Sequence, residues 1–337
     1  MNPALVVVLR ILAAVGLMLV NGVVLIYMLR KVLGHLHLRL GPMHVGPKGI
    51  FQTLNDVLKL LTKEDVTPAA VDRVLFYLAP TAVFVPSLMA YAAIPFSETW
   101  HITDLDTGLL YTFAALSLVP IGILAAGWAS ANKWSLLGGM RAAAQQIAYE
   151  VPLLLSVLPV VMVVGSLNLG TIVAAQDGLW LGFLPRWHIL PLFPAFMIFL
   201  VASLAELNQT PFDMSEAESE LVAGFASEYS AMKFGLLFLS EFSNSFIISA
   251  VGVTLFFGGW TLPWVSADII APIAPIIFVF KVYVGIFVFM WIRGTFPRVR
   301  IDQLMQIGWK WLIPLSLGLI VVTGTVLKLI QYGSGVS

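Results

Sequence analysis

The chain has 337 residues, 59% of them hydrophobic and 11% charged, and its mean hydropathy is +0.95. A soluble domain carries about 45–50% apolar residues, so this composition describes an integral membrane protein. The net charge of zero argues nothing about nucleic acid and no basic tract suggests it as a partner, while the lack of cysteine excludes disulfides, thiolate-held iron–sulfur clusters and Cys zinc sites in this chain.

Lipid offers backbone groups no hydrogen bonds, and the apolar runs are about 20 residues long without barrel-like alternation, so they are expected to be helices. Eight spans are predicted, near 5–29, 75–94, 109–129, 151–169, 189–204, 234–257, 274–291 and 312–329. The first is too long for a signal peptide and lacks a small-residue cleavage site. With the N-terminus outside, the inner connections carry Arg30, Lys31, Arg39, Lys48, Lys59, Lys63, Arg73, Lys133, Arg141, Lys233, Arg293, Arg298, Arg300 and Lys310, and the outer ones only Arg186. The positive-inside rule then puts both termini outside. The whole chain, 1–337, reads as one membrane domain.

Between the first two spans, residues 46–64 read as an amphipathic helix lying in the inner interface. Ile50, Leu54, Val57, Leu58 and Leu61 recur at helical spacing, while Asp56, Lys59 and Lys63 take another face. Packing on the inner rim of the protein and framing an opening for a lipid-soluble substrate are both compatible with that pattern. Glu150 falls at the inner mouth of the fourth span, and a carboxylate at a membrane edge is expensive unless it faces a cavity or a partner charge. Lys281, in the seventh span, is costlier still, and Glu241 in the sixth is the acid proposed to pair with it.

The inner connection 205–230 holds six acids, Glu206, Asp213, Glu216, Glu218, Glu220 and Glu228, in a chain with few charges. Pro211 is expected to break the helix that enters it. Ser215 and Glu218 resemble a capping box that starts a new helix near Glu216. In that helix Glu216 and Glu220 share a face, and the repulsion of like charges suits the pair to hold or pass a proton. A solvated acidic loop is the bland alternative; the flanking spans, Phe212, Phe225 and the further acids Glu206 and Glu241 argue against it. Arg293, Arg298 and Arg300 supply positive charge on the same side, where they also serve as topology anchors.

Four blocks carry a resemblance: RLGPMHVGPKGIFQTLNDVLKLLTKED from Arg39, GWASANKWSLLGGMRAAAQQIAYEVP from Gly127, AELNQTPFDMSEAESELVAGFASEYS from Ala205 and WIRGTFPRVRIDQLMQIGWKWLIP from Trp291. In order and over nearly the whole chain, they resemble the membrane-arm component of respiratory complex I that borders the quinone, the family of the bacterial H subunit and its mitochondrial counterpart. The resemblance implies a component of a proton-translocating, quinone-reducing translocase of the prokaryotic inner membrane that runs no redox chemistry itself. Quinone would be its substrate; flavin and iron–sulfur clusters would sit in partner subunits of the peripheral arm, beside further membrane-arm subunits, with no metal in this chain. Matched residue by residue, the proton path would use Glu150, Glu206, Asp213, Glu216, Glu218, Glu220, Glu228, Glu241 and Lys281. The quinone cavity would be bordered by Arg39, Asp56, Phe212, Phe225, Arg293 and Arg298.

The chain departs from the family at Leu29, where a glutamate is usual, at His37 for glutamine, Met43 for asparagine and Gln209 for arginine. Two further readings stand beside the first. A membrane anchor of a related hydrogenase is disfavoured by the Gly-Pro and Arg-Gly-Thr-Phe-Pro-Arg blocks, and an ion-coupled secondary transporter by the lack of an internal repeat.

Overall fold

In the computed structural model the described residues are 3–180, 182–214, 218–265 and 267–333, and they fold into a bundle of apolar helices. In chain order these are α1 (Pro3–Leu36), α2 (Gln52–Thr62), α3 (Arg73–Tyr91), α4 (Gly108–Leu116), α5 (Val119–Ala129), α6 (Lys133–Val164) and α7 (Leu169–Ala174). They continue as α8 (Phe193–Glu206), α9 (Glu218–Leu221), α10 (Ala231–Phe256), α11 (Ala267–Ile270), α12 (Ala274–Thr295), α13 (Ile301–Gln306) and α14 (Ile313–Gly333). Between α7 and α8 the short strands β1 (Leu179–Trp180) and β2 (Leu184–Pro185) pair antiparallel.

Among the described residues, seven helical stretches are long and apolar enough to cross a membrane: Val7–Leu36, Arg73–Tyr91, Gly108–Ala129, Lys133–Val164, Ala231–Phe256, Ala274–Thr295 and Ile301–Tyr332. The fifth expected span appears as α8, which has only 14 residues, about 21 Å at 1.5 Å per residue against a hydrocarbon core of about 30 Å. The fourth begins well before residue 151, because Asn132 accepts from Trp134 N–H and starts α6 at Lys133. The polar block GWASANKWSLLGGMRAAAQQIAYE is therefore partly helix, and it carries Gln145, Gln146, Tyr149 and Glu150 into the bundle.

The core is built around α10, where Phe246, Ile247, Ala250 and Phe256 are fully buried. Around it α3, α5 and α6 approach through small residues. A side chain at Gly122 would come within 2.9 Å of Val83 N, and one at Gly127 within 3.1 Å of Gly139 Cα. Such contacts let backbones meet where lipid supplies no hydrophobic drive. Outer faces of α1, α12 and α14 stay apolar and exposed, as at Leu12, Val20, Ile276, Phe280, Val321 and Leu329.

Helix α2 carries two apolar faces. Thr53, Val57 and Leu60 turn toward the bundle, and Leu54, Leu58 and Leu61 turn outward and are exposed. Its middle is tied to α1 by Arg30 Nη1 and Asp56 Oδ2 at 2.5 Å. Lys59 lies 3.8 Å from the other oxygen of Asp56.

Candidate functional site

The connection 207–230 is folded into the bundle. Helix α8 stops at Glu206, before Pro211, because Asn208 takes a left-handed backbone (φ 50°). Asn208 N–H then bonds Ala205 O at 3.2 Å and Gln209 N–H bonds Leu204 O at 3.1 Å, the paired closure of a Schellman motif, at a residue type that tolerates this conformation. From α6, Gln145 Nε2 donates to Ala205 O (2.7 Å) and Phe212 O (2.6 Å), and Gln146 Nε2 to Glu206 O (3.2 Å). From the other side Val299 N–H donates to Pro211 O at 3.0 Å. Further along, Ser135 Oγ donates to Phe225 O at 3.0 Å, and Gly138 lies against Gly224, where an added Cβ would meet its Cα at 2.7 Å. Tyr229 stacks on Phe76, with centroids 4.3 Å apart; burial pushes its phenol up, so it stays neutral. As a result Gln209, Phe212, Asp213, Met214, Leu221 and Phe225 are all buried.

Beneath this connection lies a cavity of about 300 Å³. Its apolar wall comes from Val83, Val119, Ile123, Phe225, Phe234, Leu237 and Phe238, and its polar wall from Gln146, Glu206, Asn208, Glu241, Asn244 and Arg293. Arg293 Nη1 stands 3.6 Å from Glu241 Oε1, near enough for an ion pair and too far for a hydrogen bond. Five lining residues each carry a buried side-chain atom with no hydrogen-bond partner among the described residues: Gln146 Oε1, Glu206 Oε2, Asn208 Oδ1, Asn244 Oδ1 and Arg293 Nη1. Buried polar atoms are normally paired, and each unpaired one costs about 1–3 kcal/mol. Together they offer hydrogen-bonding groups to one hollow from α6, α8, α10, α12 and the turn after α8. The carboxylates also sense one another, Glu206 feeling the charge of Glu150, and Glu241 that of Arg293 and of Asp213.

A sequence profile described as NADH dehydrogenase matches residues 9–324. The chain belongs to the NADH dehydrogenase family. Among curated relatives, the NADH-quinone oxidoreductase H subunit of Paramagnetospirillum magneticum is 46% identical over 324 residues, covering 96% of this chain and 92% of that one. The corresponding H subunit of Geobacillus kaustophilus is 49% identical over 302 residues, with 88% and 86% covered. That of Dehalococcoides mccartyi is 45% identical over 309 residues, with 91% and 83% covered.

Of the residues expected to matter in this NADH dehydrogenase family member, Glu206, Glu241, Arg293 and Phe225 line the cavity itself. Asp213 lies beside it, paired with Arg298 Nη2 at 3.0 Å, and Phe212 packs against Tyr149 with ring centroids 5.9 Å apart. Glu220 and Glu228 are held away from it, Glu220 by Arg141 at 2.7 Å and Glu228 by Asn132 Nδ2 at 2.7 Å. Glu216 and the Ser215 cap lie outside the described residues, so the proposed Glu216–Glu220 face does too. Glu218 opens α9, and its side chain is likewise outside them. Arg39 is exposed in the turn after α1, where its N–H bonds Gly34 O at 2.8 Å. Asp56 belongs to the α1–α2 tie, and neither Arg39 nor Asp56 is among the residues lining the cavity.

Lys281 departs from expectation in its partner. Its Nζ donates to Phe257 O (2.8 Å) and Thr261 O (2.7 Å) and sits 4.8 Å from the Trp187 ring. Those carbonyls follow the C-terminal end of α10, sixteen residues beyond Glu241, or about 24 Å along a helix axis. The cation is satisfied by free helix-end carbonyls, and Glu241 takes Arg293 instead.

Three amides, Gln146, Asn208 and Asn244, escaped the sequence reading. Asn244 had a signal, since it sits three residues after Glu241 on the same helix face. Two of the departures find local partners: Gln209 Nε2 donates to Ser245 Oγ at 3.0 Å, leaving Gln209 Oε1 without one among the described residues, and Lys31 Nζ reaches Pro42 O at 2.7 Å and Met43 Sδ at 3.3 Å. A larger hollow of about 480 Å³, lined by Glu98, His101, Asp104 and Asp177 among others, contains none of the predicted site residues.

Proposed function

We propose that the chain is the membrane-arm subunit of a proton-translocating NADH:quinone oxidoreductase, and that the cavity under the connection 207–230 couples quinone reduction to proton movement. The observation that carries this reading is the half-apolar, half-polar hollow with five buried polar atoms that lack a hydrogen-bond partner among the described residues. A quinone presents the same duality, a greasy ring and tail with carbonyl oxygens that accept hydrogen bonds, and its hydroquinone donates them. Arg293 offers an N–H to the first form, and Glu206 with the amide oxygens offers acceptors to the second. Redox chemistry belongs to partner subunits, where flavin and iron–sulfur clusters are expected. This chain supplies position and charge, because opposite charges about 4 Å apart interact by about 4 kcal/mol at an effective dielectric near 20, equivalent to roughly three units of carboxylate pKa.

In this reading α8 completes an eighth crossing, both termini lie outside, and the cavity opens near the inner face of a prokaryotic cell membrane. Residues 46–64, including α2, form the interfacial segment, and 205–230 the acidic connection. Glu150, Asp213, Glu216, Glu218, Glu220 and Glu228 extend the acidic path from Glu206 and Glu241, while Phe212, Arg39 and Asp56 border the approach.

Mild-detergent purification of the tagged chain tests the assignment. Co-purification of flavin and iron–sulfur subunits is the expected result; a nickel–iron subunit would move the chain to a hydrogenase, and a lone chain would remove the assignment. The entrance is tested separately by Val57→Trp, which fills the bundle-facing side of α2. The substitution is expected to slow reduction of long-tailed quinones about tenfold more than short-tailed ones, the effect of about 1.4 kcal/mol at a constriction. Equal inhibition of both would assign Val57 to packing alone.

A further inference from the structure

The helix from Ile301 to Gly333 is not uniform. Over Ile307–Leu312 it winds as a π-helix, with Ile313 N–H bonding Gly308 O, and such turns arise where a group inserts into the i→i−4 ladder. Here a side chain from α6 reaches that ladder. Leu304 O and Gly308 N–H stand four residues apart and would pair in an α-helix. Tyr149 Oη donates to Leu304 O at 2.7 Å, a carbonyl that also accepts from Ile307 N–H, and its ring lies against Gly308. Gly308 leaves room for the ring, since an added Cβ would stand 3.4 Å from Tyr149 Cε2.

We propose that the Tyr149 hydroxyl fixes the register between α13 and α14 and so holds Arg298 against Asp213, making Tyr149 a positioning residue for the cavity. The proposal rests on the reading of the cavity given above. A π-turn contains one residue more than the α-helix it interrupts. Closing it would rotate α13 by about 100° and draw it about 1.5 Å along its axis. Leu304, fully buried, would leave the core, and the extended residues before α13 would follow. Those residues carry the Arg298–Asp213 pair and the Val299–Pro211 bond, each 3.0 Å long. Tyr149 also touches the connection directly through Phe212, so one side chain braces both faces of the same contact.

The test uses the assembled complex carrying Tyr149→Phe, read by cryo-electron microscopy and by steady-state kinetics. The expected structure has an α-helical 307–312 and a broken Arg298–Asp213 pair. The quinone KM should rise about tenfold, the scale of one lost charge-assisted hydrogen bond, with kcat changing less and electron input to an artificial acceptor unchanged. Deleting exposed Trp309 in the same background removes the extra residue and should restore both the pair and the KM. If Tyr149→Phe fails to assemble, the Trp309 deletion alone decides: it should give a continuous α-helix with Arg298 still on Asp213. A π-turn that persists in Tyr149→Phe with the pair intact overturns the proposal, as does loss of the pair in the deletion variant. A closed turn and broken pair with unchanged quinone kinetics uphold the positioning role and remove quinone reduction from this cavity.

Discussion

Glu206→Gln is expected to lower coupled quinone reduction by about 10², the lower end for removing a positioned proton-transfer group, with assembly retained. The substitution keeps the shape of the side chain and the Gln146 bond to the Glu206 carbonyl, which is backbone and does not change. What it removes is a titratable oxygen at the cavity wall, buried and without a hydrogen-bond partner among the described residues. Proton uptake and quinone reduction measured in the same vesicles check the role. Wild-type values of both would leave Glu206 as a structural end to α8.

Arg293→Met should be the second severe change, with quinone-dependent turnover falling at least about tenfold. The Glu241 carboxylate would face the hollow with its cation gone, and an unsatisfied buried polar group costs about 1–3 kcal/mol, more when charged. Arg293→Lys keeps the charge but loses the planar fork, and recovers only part of the activity. The comparison separates charge from geometry: full recovery in the lysine variant would show that the fork has no role at the cavity. Measuring turnover with partner-subunit content held constant guards against loss of assembly.

Much of the helical order was legible because apolar run length is a direct physical consequence of the bilayer. The runs located seven crossing-length helices, while the eighth expectation met a helix of 14 residues. Element ends were less legible. The polar start of α6 looked like a loop because its face packs against other helices and needs no apolar pattern, and the stop of α8 was credited to Pro211 when Asn208 does it first. Candidate site residues were found by charge, which is why Glu206, Glu241 and Arg293 emerged and the neutral amides did not. Pairing needed depth. Consecutive helices run in opposite directions, so Lys281 and Glu241, at similar counts from the starts of their expected spans, need not meet, and Lys281 instead reaches carbonyls sixteen and twenty residues beyond Glu241. The ties of Glu220 to Arg141 and Glu228 to Asn132 depend on how a folded connection meets α6, and no sequence spacing encodes that.

The bond from Val299 to Pro211 and the ion pair from Arg298 to Asp213 have a consequence for biogenesis. A nascent chain that extends no further than α10 already contains every acidic residue of the connection, yet lacks the strap that presses Pro211 and Asp213 into place. The chamber is therefore finished only after the residues between α12 and α13 have been made and docked. Premature termination upstream of Arg298 would yield an inserted protein with an unfinished interior, a ready substrate for membrane proteases.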